Sequence, residues 1–401
     1  MHQRSNQRRR FVNARPKGRS SFSGNNRNSG GRRSKGSRID ISRFINKAVP
    51  AENIEDFIPK HQFNDFALEE SLKKNITQKG YVNPTPIQDE AIPYILEGRD
   101  VVGMANTGTG KTGAFLIPLI NKILKDRTQE ILVMVPTREL ALQIEEEFQG
   151  FAKGLRIEAV SCVGGANIHR QISKLRRRPN IILGTPGRLK DLIDRRAFDL
   201  SKFKSVVLDE ADRMLDMGFI ADMKLILSKM SEDRQTLFFS ATLSKEIEKL
   251  VGGFLKKPVR VSVKDRETVA GVEQDVIRLG GKVKLDVLHD LLKKDEFQKV
   301  LVFGRTKHGV EKLCKDLVRL GMKAESIHGN KNQTQRQKAL GLFKTDVINV
   351  LVATDVAARG IDVSDISHVI NYDTPTCYED YVHRIGRTGR AGKRGCALTF
   401  V

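Results

Sequence analysis

The sequence predicts an α/β protein of two tandem parallel-sheet domains that follow a disordered, basic N-terminal tail. At 401 residues the chain exceeds the usual size of one domain. Short apolar segments alternate with amphipathic helical patterns, which is typical of parallel sheets covered by helices on both faces. The alternation lapses at residues 264–271 (KDRETVAG), where we place the boundary between the domains.

Residues 1–39 form the predicted tail. They contain twelve Arg or Lys and no acid, which is more than half of the net charge of +22. Few of them are apolar, so burial cannot offset the entropy lost on ordering, and we expect disorder. Such a charge excess indicates a polyanionic partner; the alternative is a solubilising tail without specificity.

Residues 40–263 are predicted to form the first domain, with a short lead-in up to residue 60, and residues 272–401 the second. A hydrophobic fraction of 39% is sufficient for two cores. The predicted strands of the first domain are Asp100–Met104, Ile131–Pro136, Ile157–Val163, Asn180–Gly184, Ser205–Asp209 and Thr236–Ser240. Those of the second are Asp275–Leu279, Lys299–Phe303, Ala324–His328, Ile348–Thr354, His368–Tyr372 and Cys396–Val401. The predicted helices include Arg138–Gly150, Leu243–Phe254, Gly309–Leu320 and Gln335–Phe343.

The first predicted strand runs directly into a glycine-rich turn, ANTGTGKT, and then into a helix. Gly108 and Gly110 allow backbone N–H groups to converge on phosphate oxygens at the start of that helix. Lys111 can reach the β and γ phosphates, and the Thr112 hydroxyl can ligate Mg²⁺. A glycine-rich turn with a purely structural role is the alternative.

A phosphate-hydrolysing site also needs an acid for the metal and a base for the water. The segment VVLDEAD supplies both at the end of a buried strand. We expect Asp209 to hold Mg²⁺ through water, and Glu210 to orient and deprotonate the attacking water. Asp212 is placed to couple this site to its neighbours. The alternative is a strand that ends in a solvated acidic loop.

These motifs, in this order, resemble those of the DEAD-box RNA helicases. The further matching segments are GYVNPTPIQ at Gly80–Gln88 with Phe63 upstream, PTRELA at Pro136–Ala141, GG at Gly164–Gly165, TPGR at Thr185–Arg188, SAT at Ser240–Thr242, VFGRTK at Val302–Lys307, QTQR at Gln333–Arg336, ATDVAARGID at Ala353–Asp362 and YVHRIGRTGR at Tyr381–Arg390. The resemblance covers about residues 63–401. It implies two RecA-like domains and an RNA-stimulated ATP hydrolase that unwinds short RNA duplexes.

The resemblance also implies how the nucleotide binds. Phe63 would stack on adenine, and the Gln88 amide would pair with the N6 and N7 edge, which favours ATP over GTP. The other nucleotide-binding residues would be Ala105, Thr107, Gly108, Thr109, Gly110, Lys111, Thr112, Gly360 and Asp362. Of these, Asp362 is similar to the ribose contact of the family.

The segment HRIGRTGR in the second domain is rich in arginine. By resemblance, Arg387 and Arg390 are arginine fingers that reach the γ-phosphate when the domains close. His383 would couple to the SAT and DEAD segments, through Asp212, Ser240 and Thr242. The alternative is a basic helix end that binds phosphate backbone.

The resemblance places RNA contacts in loops just past strand ends, where ligands bind open α/β sheets. These residues are Pro136, Thr137, Arg138, Gly165, Thr185 and Arg188 in the first domain, and Arg305, Gly329, Gln333, Arg336 and Thr354 in the second. Contacts of this kind go to phosphate and sugar, so no base sequence is read. ATP binding would close the domains by a hinge within residues 264–271 and bend one RNA strand, and hydrolysis would reset the open state.

Three other functions stay open. A DNA helicase of a related superfamily is disfavoured by the Gln88, SAT and HRIGRTGR segments, which resemble the RNA branch. An ATP-gated RNA clamp or chaperone needs the same residues as a helicase. An inactive scaffold is disfavoured by the presence of Lys111, Asp209, Glu210, Arg387 and Arg390 together.

The remaining features concern the location and extent of the chain. The four cysteines have no CxxC spacing, no apolar run approaches the ~20 residues that span a bilayer, and the N-terminus lacks the apolar stretch of a secretory signal. We therefore expect a cytoplasmic protein. The composition of the tail favours a bacterial source. The chain ends at Val401, in a predicted strand, so we expect a truncated second domain.

Overall fold

The computed structural model describes residues 40–46, 57–106, 108–263, 272–358, 363, 365–389 and 395–401. The predicted tail at 1–39 and the predicted linker at 264–271 lie outside the described residues, as do Thr107, Gly360, Asp362 and Arg390. The described residues form two parallel sheets, as predicted, within one compact unit.

The first sheet has seven parallel strands in the order β3-β4-β2-β5-β6-β1-β7. They are β1 Val101–Met104, β2 Glu130–Met134, β3 Ala159–Cys162, β4 Ile181–Gly184, β5 Phe203–Leu208, β6 Gln235–Ser240 and β7 Val259–Ser262. The helices around it are α1 Glu70–Gln78, α2 Pro86–Leu96, α3 Lys111–Lys125, α4 Arg138–Phe151, α5 Ile168–Leu175, α6 Pro186–Asp194, α7 Ala211–Asp216, α8 Ile220–Lys229 and α9 Lys245–Phe254, with a short 3-10 helix at Leu200–Lys202. Alternate strand residues enter two separate cores, with Val133 on one face and Leu132 on the other.

The second sheet has six parallel strands in the order β10-β11-β9-β12-β13-β8. They are β8 Val272–Ile277, β9 Val300–Phe303, β10 Ala324–Ile327, β11 Val350–Ala353, β12 His368–Asn371 and β13 Gly395–Phe400. The helices are α10 Lys284–Leu292, α11 Lys307–Arg319, α12 Gln333–Lys344, α13 Asp355–Ala358 and α14 Tyr378–Ile385. Again Val302 and Leu301 enter cores on opposite faces, so the central strands of both sheets are buried on both sides.

Two edge strands differ from the sequence prediction. β7 was not predicted, and β8 begins three residues earlier than the predicted strand at Asp275–Leu279. In β8, Val272 and Gln274 are buried whereas Glu273 and Asp275 are exposed, so the strand alternates instead of being continuously apolar. Alternation of this kind is typical of a strand with one face toward water.

Residues Asp40–Asn46 pack on the second sheet, although the sequence placed them in the first domain. Asn46 and Gln274 exchange backbone hydrogen bonds of 2.9 and 2.8 Å, which pairs this segment with the edge strand β8. Phe44, in a short 3-10 helix at Ile41–Phe44, is 1% exposed and contacts the Tyr381 ring with centroids 4.7 Å apart. The segment therefore covers helix α14, which contains His383.

No helix among the described residues has the length and apolarity needed to cross a membrane. All four cysteines are free thiols.

Candidate functional site

The turn between β1 and α3 has the geometry of a phosphate loop. Gly108 and Gly110 have φ of +91° and +92°, a left-handed region that glycine tolerates and other residues avoid. A Cβ atom on Gly110 would lie 2.7 Å from Nε2 of Gln88. The Lys111 ammonium is buried and donates to the Ala105 carbonyl at 2.8 Å, which keeps it across the loop.

The other members of this loop are also fixed by local contacts. The Ala105 N–H donates to the Ser240 carbonyl at 3.1 Å, which joins the loop to the end of β6. The Thr109 hydroxyl donates to the Asn106 carbonyl at 2.9 Å. Thr112 lies half-buried in the first turn of α3, one residue after Lys111.

Asp209 and Glu210 follow β5, and both are almost completely buried. Burial raises the pKa of Asp209 to about 6, against the opposing charge of Lys111. Burial also acts to raise the pKa of Glu210, but Arg213, Lys111 and Arg387 together hold that pKa below its usual range. Glu210 is thus an ionised carboxylate between cations of both domains. Its φ of +52° marks the sharp turn into α7.

Arg213 is a site residue that the sequence reasoning missed. Its Nη1 donates to Oε2 of Glu210 at 2.9 Å, and both side chains are buried. The signal was available, because residues three apart on a helix are neighbours and Arg213 lies three after Glu210. Arg213 also lines a small cavity with His383 and Arg387 of the second domain.

Asp212 binds the SAT segment. Its Oδ2 accepts the N–H groups of Ala241 and Thr242, each at 3.0 Å, and the Thr242 hydroxyl at 3.3 Å. The Ser240 hydroxyl donates to the Thr242 carbonyl at 2.7 Å. Burial, with repulsion by Arg213, lowers the pKa of His383 to about 4, so its ring is neutral at physiological pH. The proposed coupling residues therefore lie together, although their coupling role stays a prediction.

The arginines of the second domain have different surroundings. Arg384 is held by Asp355 in a bidentate pair of 2.5 and 2.8 Å, by the Asn371 amide oxygen and by the Asp373 carbonyl. Arg387 donates to the His383 carbonyl at 3.3 Å, and its charge acts on Glu210 across the domain boundary. The placement of Arg387 fits an arginine finger, whereas Arg384 is held within its own domain.

The predicted base-binding residues lie at the start of α2 and just before α1. The Gln88 side chain accepts the Thr85 N–H at 3.0 Å and donates to the Gly110 carbonyl at 3.0 Å, so it already bridges to the phosphate loop. An amide has further donor and acceptor capacity for adenine. Phe63 is 5% exposed, with its ring edge-on to Tyr81 at 5.9 Å. Its stacking on a base stays a prediction.

The predicted RNA contacts of the first domain lie at the carboxyl ends of β2, β3 and β4. Pro136 and Thr137 precede α4, and the Thr137 hydroxyl caps that helix by accepting the Leu140 N–H. The Arg138 guanidinium lies over Gly164 and Gly165, where a Cβ on Gly164 would be 3.0 Å from it. Thr185 is the N-cap residue of α6.

Arg188, in the first turn of α6, donates to the Gln171 side chain at 2.8 Å and to the Ala166 carbonyl at 3.2 Å. It thereby connects α6 to the loop that contains Gly165.

The residues of the second domain that are predicted to contact RNA differ from one another in exposure. Arg305 and Gly329 are exposed, and Thr354 is half-buried at the end of β11. Both polar atoms of the Gln333 side chain are buried without a partner among the described residues. Buried polar atoms of this kind are usually paired, and an RNA contact by Gln333 stays a prediction.

Arg336 makes a contact between the domains. Its Nη2 lies 3.0 Å from Oε2 of Glu139 in α4, and the two side chains are 13% and 3% exposed. Burial, with repulsion by Arg336, lowers the pKa of Arg138. The RNA-binding residues predicted in the two domains therefore meet at Arg138 and Arg336, and an RNA contact by Arg336 stays a prediction.

We expect Glu139→Gln to raise the RNA concentration needed for half-maximal ATP hydrolysis by about tenfold. This buried ion pair exists only when the domains are together, and removal of one charge leaves the other buried without its partner, which disfavours closure. Steady-state hydrolysis at increasing RNA concentration measures the effect. The control is Glu146→Gln, an exposed position on the same helix. An RNA dependence like that of the control would contradict a role for the pair in closure.

Comparison with known proteins gives consistent matches. Residues 85–250 match the DEAD/DEAH box helicase family, and residues 283–392 match the helicase conserved C-terminal domain. The chain is 46% identical over 342 residues to the ATP-dependent RNA helicase CshA of Listeria monocytogenes, which is 85% of this chain and 66% of that protein. It is 47% identical over 341 residues to the DEAD-box ATP-dependent RNA helicase CshA of Bacillus subtilis, which is 84% of this chain and 69% of that protein.

Among solved structures, Mss116p bound to single-stranded RNA and AMP-PNP matches with a TM-score of 0.78 at 32% identity. The match covers 86% of this chain and 76% of that chain. The chain spans about two thirds of the length of the curated relatives it matches.

Proposed function

The chain belongs to the DEAD-box helicase family, and we propose that it couples ATP binding and hydrolysis to domain closure on RNA and to local unwinding of short duplexes. The supporting observation is the environment of Glu210. The charges of Lys111 from the first domain and Arg387 from the second both act on this buried carboxylate. A hydrolytic site that needs both domains makes the reaction depend on closure.

ATP would bind between the phosphate loop and the helix that begins at Pro86. Lys111 would exchange its bond with the Ala105 carbonyl for the β and γ phosphates. Gln88 and Phe63 would bind adenine, because Gln88 already contacts the loop and keeps amide capacity.

The residues of the site fit Mg²⁺, which would neutralise charge on the phosphates. Mg²⁺ is commonly held by one or two carboxylates together with substrate phosphates. Asp209 and Thr112 would provide its protein contacts. A bound dication would also favour the ionised form of Asp209, whose pKa burial raises.

Hydrolysis would use residues of both domains. Glu210 would accept a proton from the attacking water, and Arg387, with Arg390, would stabilise charge on the γ-phosphate. RNA would bind along the strand-end loops of both domains, next to the Glu139–Arg336 pair, with contacts to phosphate and sugar. Closure driven by ATP would deform one strand, and hydrolysis would permit release.

The test is ATP hydrolysis by the whole chain, alone and with single-stranded RNA or DNA of equal length, together with strand separation of a short RNA duplex. We expect stimulation by RNA but not by DNA, and ATP-dependent separation. Equal stimulation by DNA would favour a DNA helicase. ATP-dependent RNA binding without strand separation would favour a clamp.

We place this activity in the cytoplasm. The four free thiols, two of them buried, are compatible with a reducing compartment. A protein that contacts only phosphate and sugar does not select a base sequence. Many of the RNAs present in the cytoplasm would therefore be substrates.

A further inference from the structure

Asp89 follows Gln88 in the first turn of α2, and its side chain is only 1% exposed. Its Oδ2 accepts the Lys60 N–H at 2.8 Å. Its Oδ1 accepts the His61 N–H at 3.0 Å and lies 2.7 Å from Nδ1 of the His61 ring. One buried carboxylate thus binds three donors from two consecutive residues far earlier in the chain. Hydrogen bonds to an ionised acceptor are about twice as strong as neutral ones.

The segment that Asp89 holds leads directly to Phe63. Immediately after His61, Gln62 and Asp65 form a tight turn through two hydrogen bonds of 2.7 and 3.0 Å. Phe63 lies within this turn and packs against Tyr81. Upstream, Ile58 is 84% exposed, so the segment rests on the surface. Within residues 57–61, the backbone N–H groups that have a hydrogen bond to the described part of the chain are those of Lys60 and His61, and both donate to Asp89.

Gln88 and Asp89 point toward different halves of the base site. The Gln88 amide donates to the Gly110 carbonyl of the phosphate loop, whereas Asp89 binds the segment that precedes Phe63. Gln88 and Asp89 both lie in the first turn of α2, so this turn fixes the position of the Phe63 ring relative to the phosphate loop. We propose that Asp89 is a positioning residue for base recognition, which places Phe63 for stacking on adenine; this rests on the proposed ATP-dependent function.

The expected consequence is a selective loss of base recognition. The triphosphate contacts of Lys111 and Thr112 do not depend on residues 60–63, so they persist when the segment is released. Asp89→Ala should therefore raise KM for ATP about tenfold, equivalent to roughly 1.4 kcal/mol, and change kcat less than twofold. Binding of GTP, which gains less from Gln88, should weaken less, so the preference for ATP should fall.

Two further variants are expected to weaken ATP binding less than Asp89→Ala does. Asp89→Asn has the same shape but presents an NH₂ group either to the Lys60 N–H or to the two His61 donors, so its effect should be intermediate. His61→Ala removes the ring contacts with Asp89 and with Phe66 but leaves both backbone hydrogen bonds to Asp89, so its effect should be smallest. Glu90→Gln, an exposed neighbour on the same helix, is the matched control.

The experiment measures Kd for N-methylanthraniloyl-ATP and N-methylanthraniloyl-GTP, with KM and kcat for ATP, on the whole chain of each variant. Thermal unfolding identifies any variant that does not fold, and Asp89→Asn then replaces Asp89→Ala. The expected order of ATP affinity is control, His61→Ala, Asp89→Asn, Asp89→Ala. Equal losses for both nucleotides, or values like the control in folded protein, would overturn the proposal. Because nucleotide binding needs no hydrolysis, it tests Asp89 even if the proposed helicase activity is absent.

Discussion

Replacement of Glu210 by Gln is expected to reduce kcat for RNA-stimulated ATP hydrolysis by about 10²–10⁴-fold, the range found when a positioned general base is lost. The amide has the same shape as the carboxylate but cannot accept the proton of the attacking water. Its oxygen can still accept from Arg213, which contacts Glu210 at 2.9 Å, so the turn into α7 should persist. ATP and RNA binding should therefore be retained.

Two measurements separate this chemical defect from a folding or binding defect. Single-turnover hydrolysis reports the chemical step, and the dissociation rate of RNA in the presence of ATP reports the closed state. We expect slow hydrolysis together with slower RNA release, since hydrolysis is the step that reopens the domains. Glu246→Gln, at an exposed position on α9, is the control. If Glu210→Gln hydrolysed ATP within tenfold of the control rate, Glu210 would not be the general base.

The residues that were predictable from sequence are those whose chemistry lies within a short segment. Lys111 follows the glycines of the phosphate loop, and Asp209, Glu210 and Asp212 lie within four positions of a buried strand end. Because the carboxyl ends of parallel strands meet at one edge of the sheet, adjacency in sequence here also places the side chains in one site.

Contacts between distant segments were not predictable. Asp89 and His61, or Glu139 and Arg336, are ordinary polar residues in sequence, and only the folded chain brings each pair within 3.0 Å. The segment Asp40–Asn46 was assigned to the first domain as a lead-in, whereas Asn46 pairs with Gln274 of β8 in the second sheet. Phe44 is the large buried side chain of this segment, and the sequence around it has no hydrophobic periodicity that would indicate which surface it covers.

Arg384 and Arg387 show why a motif does not define roles. Both are guanidinium groups in the same eight-residue segment, and both are buried. Arg384 has a bidentate carboxylate and two further acceptors in its own domain, so its bonding capacity is largely used. Both arginines line the small cavity that Arg213 of the first domain also lines, but the charge of Arg387 acts on Glu210 of the first domain. Substitution of Arg384 should therefore reduce stability, whereas substitution of Arg387 should reduce the rate of hydrolysis.

Arg387→Ala is expected to lower kcat for RNA-stimulated hydrolysis by about 10³-fold or more, because an arginine that stabilises a transferring phosphoryl group contributes roughly 10³–10⁵ to the rate. KM for ATP should change little, since the first domain supplies the predicted base and phosphate-loop contacts. Arg387→Lys should restore only part of the rate, because an ammonium lacks the planar fork of a guanidinium. Steady-state hydrolysis with saturating RNA gives both constants.

Arg384→Ala supplies the contrast. It leaves the partly exposed Asp355 and the buried Asn371 without their partner, and removal of one member of an ion pair costs up to about 3–5 kcal/mol when both members are buried, so this variant should unfold at a lower temperature. Arg387→Ala should keep the wild-type unfolding temperature while it loses the rate. If Arg387→Ala instead lowered the unfolding temperature as much as Arg384→Ala, or kept kcat within tenfold of wild type, Arg387 would be a structural arginine. Closure would then have to promote hydrolysis by another route, through His383 and the Asp212-bound SAT segment.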